Sequence, residues 1–247
     1  MKIEGKTVLV TGGNTGLGRA IAESFAKMGA NVCIAYIAFE EEASAAVDEF
    51  QSYGIKARAY RADISSEADV VRLMQGIAED FGGLHVLINC AGKTHRVAHD
   101  NLYGMKSEYF DDIFAVNVKG TFFCCREAKP YLEQDGGVII NIASAGGFNG
   151  LGSCIAYSAS KAAEINMTRS LARVFAPKVR VLGVAPGFVS TQFVAGEEAR
   201  GEKIANETFL QRLTTPQDVA DVVTALVAGN DILTGITVIA DGGRVLG

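Results

Sequence analysis

The chain has 247 residues, 49% of them hydrophobic and 21% charged, with a formal net charge of −5 at pH 7. This length and composition predict one globular domain over residues 1–247, because α/β folds of this size often remain undivided. Acidic and basic residues are interspersed, which argues against nucleic acid as a partner. No apolar stretch approaches the roughly 18 residues of a membrane-spanning helix, so no membrane partner is expected.

The N-terminus and the cysteines indicate a cytoplasmic protein. The first apolar run covers only residues 7–10 and follows Glu4, unlike a secretory signal. The five cysteines include no Cys-x-x-Cys spacing. We therefore expect reduced, buried thiols rather than a disulfide framework or a metal site.

The first half of the chain alternates strand and helix patterns. Short apolar runs predict strands at "KTVLVTG", "NVCIAY", "KARAYRAD" and "LHVLINCAG". Helices are predicted between them, at "GRAIAESFAKMGA", "EEEASAAVDEFQSYG" and "SEADVVRLMQGIAEDFG".

The second half continues the alternation. Long helices are predicted at about 107–132 and 153–175, a third helix at "TPQDVADVVTALVAG", and strands at "GVIINIAS", "KVRVLGVAPG" and "GITVIADGG". This order predicts an α/β fold with a doubly wound, seven-stranded parallel sheet and helices on both faces. Residues 188–213 lack a clean period, and we expect them to form a substrate cap over the strand ends, where ligands bind in such sheets.

A glycine-rich turn, "TGGNTGLG" at residues 11–18, joins the first strand to the first helix. Glycines let the backbone approach a pyrophosphate closely, and the helix N-terminus attracts its charge. The turn matches neither Gly-x-Gly-x-x-Gly nor the P-loop pattern. A turn that binds nothing is the alternative, but the position of this one favours dinucleotide binding.

Two positions bear on which dinucleotide binds. An acid ending the second strand would bind the 2′-hydroxyl of NAD, whereas a nearby Arg would accept the 2′-phosphate of NADP. Tyr36 stands there and gives neither signal. The missing carboxylate favours NADP slightly over NAD, although the acids at 40–42 argue the other way. Asp63, which ends the third strand, is either an adenine contact or a turn residue.

Tyr157 and Lys161 are spaced to share one face of the second long helix. A free phenol has a pKa of about 10 and is a poor base, but a nearby ammonium and an oxidised nicotinamide both favour its ionised form. We therefore expect a lowered pKa for Tyr157 and a role in proton transfer during hydride transfer. An ordinary pair on a helix surface is the alternative.

Ser144 ends the strand before this helix, at the sheet edge where reacting groups gather. Its hydroxyl is suited to hold a substrate oxygen, and a helix cap or loop serine is the alternative. A serine-hydrolase site is excluded, because Ile142 stands where the Gly-x-Ser-x-Gly motif needs its first glycine.

These features belong to a longer series in a fixed order. The series is residues 11–18, "NCAG" at 89–92, Asn117 in "FAVNVKGTFF", Ser144, "YSASK" at 157–161, "PGFVST" at 186–191 and the final "DGG". The sequence thereby resembles the short-chain dehydrogenase/reductase family over nearly its full length, in its 3-oxoacyl-reductase-like or sugar-alcohol-dehydrogenase-like branch. The resemblance implies a single-domain Rossmann fold and a catalytic set of Asn117, Ser144, Tyr157 and Lys161.

The resemblance also implies a role for each residue. Tyr157 would be the general acid/base, Ser144 would orient the carbonyl or alcohol, and Lys161 would bind the nicotinamide ribose and lower the pKa of Tyr157. Asn117 would anchor a water that extends a proton relay from Lys161. Cys90 stands where a second Asn is common. The implied cofactor contacts are Gly12, Asn14, Thr15, Gly16, Leu17, Gly18, Tyr36, Asp63, Ile64, Asn89, Ala91, Gly92, Tyr157, Lys161, Pro186, Gly187, Val189 and Thr191.

His95 and His99 have a spacing that would suit a metal on a helix. They lie in a segment without a third ligand, so a loop that borders the substrate cleft is favoured and no metal is expected.

The expected function is that of an NAD(P)(H)-dependent oxidoreductase, interconverting a secondary alcohol and a ketone with Tyr157 handling the proton. The substrate would be a 3-oxoacyl thioester, a sugar or polyol, or a small alcohol. A non-catalytic dinucleotide-binding sensor or scaffold is the alternative. The family resemblance further implies a homotetramer in which the two long helices pair across subunits.

Overall fold

A computed structural model of the protein describes residues 1–189, 198–229 and 231–246. One seven-stranded sheet forms the centre, with the strand order β3-β2-β1-β4-β5-β6-β7, and every pairing is parallel. The strands are β1 (Thr7–Thr11), β2 (Asn31–Tyr36), β3 (Ala57–Arg61), β4 (Val86–Asn89), β5 (Gly137–Ile142), β6 (Val179–Pro186) and β7 (Thr237–Ala240). The predicted fold class is confirmed.

Helices cover both faces of the sheet. They are α1 (Gly16–Lys27), α2 (Glu40–Ser52), α3 (Glu67–Phe81), α4 (Ser107–Phe114), α5 (Thr121–Asp135), α6 (Gly146–Asn149), α7 (Ile155–Phe175), α8 (Glu198–Glu207) and α9 (Pro216–Ala228). The central strands β1, β4, β5 and β6 are largely apolar because their side chains alternate between two buried faces, whereas the edge strand β3 (ARAYR) is partly exposed. In β1, Val8 and Val10 pack in the cluster with α1, α2 and α9, whereas Leu9 packs in the cluster with α3, α5 and α7.

The strand order places a cleft beside β1. β1 pairs with β2 on one side and with β4 on the other, so the chain leaves β1 and β4 toward opposite halves of the sheet. At such a switch point the connections diverge and open a crevice at the carboxyl ends of the strands. The glycine-rich turn that follows β1 lies there.

The first long helix differs from its prediction. The segment predicted as one helix at 107–132 is α4, then a π-helical turn at Ala115–Gly120, then α5. A π turn adds a residue to the helical repeat without interrupting the helix, so an apolar pattern does not reveal it. Asn117 lies within this wider turn. The second long helix begins two residues later than predicted, at Ile155, where the Cys154 sulphur accepts from the Tyr157 N–H.

The predicted cap at 188–213 is only partly described. It contains α8, while residues 190–197, including Thr191, lie outside the described residues. Within the described ranges, no helix combines the length and the apolarity needed to cross a bilayer.

Candidate active site

A cavity of about 1110 Å³ opens at the carboxyl edge of the sheet. This volume exceeds that of most small-molecule pockets and suits a dinucleotide together with a substrate. The predicted residues that line it are Gly12, Asn14, Thr15, Gly16, Leu17, Gly18, Tyr36, Asp63, Ile64, Ala91, Gly92, Ser144, Tyr157, Lys161, Pro186, Gly187 and Val189. The fold thus brings the glycine turn and the Ser144–Tyr157–Lys161 group to one cavity, whereas Asn89 and Asn117 do not line it.

The glycine turn has the geometry of a pyrophosphate cradle. A Cβ on Gly18 would lie 2.1 Å from the Gly12 carbonyl oxygen, and Gly12 has a φ of +66°, so neither position tolerates a side chain. α1 begins at Gly16, and no capping side chain or first-turn acid occupies its N-terminal N–H groups, which belong to residues that line the cavity. These residues therefore fit the diphosphate of NAD(P).

The adenosine end of the cavity is shaped by Asn14. Its side chain donates to the carbonyl oxygens of Ala38 at 2.8 Å and Phe39 at 3.1 Å. Asn14 therefore braces the loop after β2, where Phe39 has a φ of +62°. Asp63 lines the cavity and also orders its own turn, because its Oδ1 accepts from the N–H and hydroxyl of Ser65. Both roles considered for Asp63 are thus compatible.

Tyr157, Lys161 and Ser144 meet at the other end of the cavity. The Lys161 Nζ lies 5.8 Å from the Tyr157 ring centroid and donates to the Ile142 carbonyl oxygen at 2.9 Å. The Ser144 hydroxyl is hydrogen-bonded to the Tyr157 phenol and accepts from the Gly146 N–H at 3.2 Å. A proton donor and a second hydroxyl therefore lie side by side, as protonation of a carbonyl oxygen requires.

The protein groups around Tyr157, taken by themselves, raise its pKa. Burial is the largest influence and raises this pKa, and Glu164 and Cys90 add to the rise. The Lys161 ammonium and the Ser144 hydrogen bond act in the opposite sense without prevailing. The lowered pKa expected from the sequence includes the positive charge of an oxidised nicotinamide and stays a prediction for the coenzyme-bound site.

Glu164, which sequence analysis did not single out, lies directly behind Lys161. Its Oε2 is 2.6 Å from the Lys161 Nζ, and the two side chains are 1% and 5% exposed. The Thr121 hydroxyl, at the start of α5, donates to Glu164 Oε1 at 3.2 Å. Burial alone would lower the pKa of Lys161, but Glu164 and Tyr157 more than offset it, so the pKa is raised. The ammonium is therefore stable in this site.

Asn117 is fully buried and acts as a bracket. Its Oδ1 accepts from the Lys93 N–H at 2.8 Å, and its Nδ2 donates to the Lys93 carbonyl at 3.1 Å and to Ser160 Oγ at 2.9 Å. The amide thus holds the segment after β4 against α7. Both Nδ2 hydrogens are used, so a water on this side chain would have to donate to the second lone pair of Oδ1.

Asn89 also differs from its predicted role. Its side chain is buried beneath the sheet edge and begins a chain of contacts, the amide ladder, that runs Asn89–Asn141–Thr168–Glu164. Asn89 Nδ2 donates to Asn141 Oδ1, Asn141 Nδ2 to Thr168 Oγ1, and Thr168 Oγ1 to the Glu164 carbonyl, each at 2.9 Å. The motif placed Asn89 at the cleft, but Cys90, Ala91 and Gly92 are the residues that line it.

The substrate end carries several residues that the sequence analysis did not assign to the site. Asp112 lines it and binds both the Lys93 Nζ at 2.8 Å and His95 Nε2 at 3.1 Å. The His95 ring stacks on Tyr109, with centroids 4.0 Å apart. His99 lines the cavity, as the loop interpretation expected. Among the described residues no group of three or more His, Cys, Asp or Glu could hold a metal. Further lining residues are Phe39, Arg96, Asn149, Leu151, Ser153, Phe188, Asp241 and Arg244.

Comparison with known proteins agrees with this geometry. A family model described as enoyl-(acyl carrier protein) reductase matches residues 12–244. A 3-oxoacyl-[acyl-carrier-protein] reductase of Staphylococcus aureus is 35% identical over 98% of both chains. Two crystal structures from Brucella melitensis are each 31% identical. One, a short-chain dehydrogenase/reductase of the glucose/ribitol dehydrogenase type, has a TM-score of 0.92 and covers 98% of both chains. The other, a 3-ketoacyl-(acyl-carrier-protein) reductase complexed with NADH, has a TM-score of 0.89 and covers 98% of this chain and 99% of its own. The chain therefore belongs to the short-chain dehydrogenase/reductase family and is an NAD(P)-dependent oxidoreductase that interconverts a ketone and a secondary alcohol.

Proposed function

We propose that the enzyme reduces the ketone of a 3-oxoacyl thioester to a secondary alcohol. The carrying observation is that Ser144, Tyr157 and Lys161 share one cavity with the pyrophosphate cradle. The 3-oxoacyl reductases among its relatives support the thioester over a sugar or a small ketone.

The residues divide the work as their contacts suggest. When bound, NAD(P)H supplies the hydride that adds to the carbonyl carbon. Tyr157 donates its phenolic proton to the carbonyl oxygen, while the Ser144 hydroxyl holds that oxygen in place. The Lys161 ammonium stabilises the phenolate left on Tyr157 and has a hydrogen available for the nicotinamide ribose. Asn117 positions this group through Ser160 and Lys93.

A substrate panel tests this assignment. Purified protein is assayed with a 3-oxoacyl thioester, a ketose, a small cyclic ketone and an enoyl thioester, because the matching family model is described as an enoyl reductase. We expect the 3-oxoacyl thioester to have the highest kcat/KM, and Tyr157→Phe to lower kcat by about 10²- to 10⁴-fold. Faster turnover of another substrate overturns the substrate assignment, and a fully active Tyr157→Phe overturns the mechanism. Absence of turnover with every substrate favours the sensor or scaffold alternative.

The coenzyme proposal reverses the slight sequence-based preference for NADP. Among the described residues at the adenosine end, none that lines the cavity is Lys or Arg, and Glu40, Glu41 and Glu42 occupy the first turn of α2. The described lining at this end therefore offers a 2′-phosphate no cation to pair with, and the three acids follow directly after Phe39, which lines the cavity. We therefore propose NAD(H), and fluorescence titration with NADH and NADPH tests it, since tighter NADPH binding would contradict it.

We also propose a homotetramer and a cytoplasmic location. Large apolar side chains remain exposed on the predicted pairing helices, including Phe110 on α4, Phe122 on α5 and Val174 on α7. Burying them between subunits would remove apolar surface from water. The five cysteines are free thiols, as expected in a reducing compartment. Light scattering tests the assembly, and a monomer at micromolar concentration would contradict it.

A further inference from the structure

Glu164 is a buried carboxylate that the mechanism above does not use. It lies one helical turn beyond Lys161 on the same face of α7, and Tyr157 lies one turn before Lys161. Of the three ammonium hydrogens, one is directed at the Ile142 carbonyl and another lies against Glu164. Apart from the ion pair, Glu164 Oε2 has no hydrogen-bond partner among the described residues. Among the described residues, Glu164 Oε2 thus interacts with the Lys161 ammonium alone.

We propose that Glu164 is a positioning residue that keeps the proton on Tyr157 near neutral pH, and thereby sets the pH above which the phenolate needed for alcohol oxidation is populated. The proposal rests on the function proposed above, because it concerns the form of Tyr157 that each direction of that reaction needs. Glu164 acts through Lys161 and has no contact with the cavity.

The charges around Tyr157 carry the argument. The groups that face it are Lys161 and Glu164 on α7, Cys90 after β4 and Ser144 after β5. Cys90 is neutral, since burial raises its pKa to about 12, and Ser144 does not titrate. Tyr157 also packs against a small apolar cluster of Ile113, Cys154 and Ala156. Among these groups Lys161 is the cation beside Tyr157, and the adjacent Glu164 carboxylate, 2.6 Å from the ammonium, offsets part of its field.

The two directions of the reaction need opposite forms of Tyr157. In ketone reduction the carbonyl carbon gains the hydride, the carbonyl oxygen gains the Tyr157 proton, and a phenolate remains. In alcohol oxidation a phenolate removes the hydroxyl proton while the hydride returns to NAD(P)⁺. A residue cannot change the equilibrium of the overall reaction, but it sets the pH at which each form of Tyr157 is populated. A cation partly offset by Glu164 stabilises the phenolate less, so the oxidising form appears only at higher pH.

The test is Glu164→Gln, which removes the charge and retains the shape. The pH profile of kcat/KM for alcohol oxidation is measured for the parent and the variant. We expect the profile of the variant to move to lower pH, so that kcat/KM for oxidation at pH 7, as a fraction of its own high-pH plateau, rises about threefold or more. An unmoved profile, with any loss of rate equal at every pH, would show a merely structural role and overturn the proposal.

Two further variants isolate the charge. Glu133→Gln on α5 removes a partly exposed carboxylate that pairs with Lys129 at 2.7 Å, and we expect it to leave the profile unchanged. Glu164→Asp retains the charge at a greater distance from Lys161, so its profile should lie between those of the parent and Glu164→Gln. If Glu164→Gln does not fold, Glu164→Asp replaces it as the test. A profile at lower pH than that of the parent supports the proposal, and an unmoved profile overturns it.

A readout without turnover separates this proposal from the proposed function. The near-ultraviolet absorbance of tyrosinate is titrated against pH in the parent and in Glu164→Gln. The chain has seven tyrosines, so each titration is repeated with Tyr157→Phe added. Subtracting the second curve from the first leaves the signal of Tyr157 alone. Earlier ionisation of Tyr157 in Glu164→Gln supports the proposal even if no substrate in the panel is reduced. Ionisation at the same pH overturns it even if the reductase activity is established.

Discussion

Replacing Asn117 with Ala separates a bracing role from a purely catalytic one. The side chain is fully buried and makes three hydrogen bonds, two to the Lys93 backbone and one to Ser160. The substitution removes all three and leaves the segment after β4 unattached to the π turn. Because that segment lines the cavity, loss of the bracket should affect both stability and binding.

The magnitude follows from what each partner retains. A hydrogen bond contributes about 0.5–1.5 kcal/mol net, so three amount to about 3 kcal/mol. Lys93 is partly exposed, and water will replace some of its lost contacts. Ser160 keeps its bond to the Tyr157 carbonyl at 2.7 Å. We therefore expect Asn117→Ala to lower the free energy of unfolding by about 2 kcal/mol.

Urea unfolding measures the stability, and steady-state kinetics measure KM for coenzyme and substrate. We expect the lower stability together with a higher KM, because the cavity wall at Lys93 loses its anchor. Asn166→Ala, at an exposed position of α7, is the matched control and should change stability by less than about 0.5 kcal/mol. If Asn117→Ala costs less than about 1 kcal/mol while kcat falls as in Tyr157→Phe, the bracing argument is wrong.

Two further predictions concern the coenzyme cradle and the start of α9. Gly18→Ala should raise the Kd for coenzyme at least about tenfold, because its Cβ would lie 2.1 Å from the Gly12 carbonyl oxygen; unchanged binding in a fluorescence titration would refute the cradle. Asp218→Asn should cost about 1 kcal/mol at pH 7, since hydrogen bonds from Arg212 and then Thr215 lower the pKa of Asp218. With its folded-state pKa lowered, Asp218 stabilises the protein above its unfolded pKa of about 3.9, and the difference between parent and variant in urea unfolding should shrink as the pH falls below that value. A difference that persists unchanged in acid would rule out the ion pair as its source.

The sequence predicts the fold because its signals are local and repeated. Apolar runs such as "TVLVT" are long enough to identify a strand buried on both faces. The glycines at 16 and 18 indicate a tight turn into α1, since a Cβ on Gly18 would clash with the Gly12 backbone. The shared face of Tyr157 and Lys161 follows equally from helical spacing.

The sequence does not predict features that depend on packing between distant segments. Glu164 is an acid on a long helix, where such residues usually face water, and only α5 with Thr121 shows that it is enclosed. Its spacing of three from Lys161 was the available signal. Asn89 is the last residue of β4 and is buried, whereas Cys90 follows the strand and lines the cleft, so a motif that names both does not say which one reaches it.

The amide ladder has a consequence for how the site moves. Asn89 and Asn141 are paired in the register of β4 and β5, and Asn141 reaches Thr168 on the face of α7 that carries Tyr157, Lys161 and Glu164. The ladder therefore helps to fix the rotation of α7 about its own axis relative to the strands beneath it. Because Tyr157, Lys161 and Glu164 all lie on α7, a rotation of the helix after loss of these contacts would move all three side chains together. Such a rotation would keep the distances among the three side chains and change the direction in which they face the cavity.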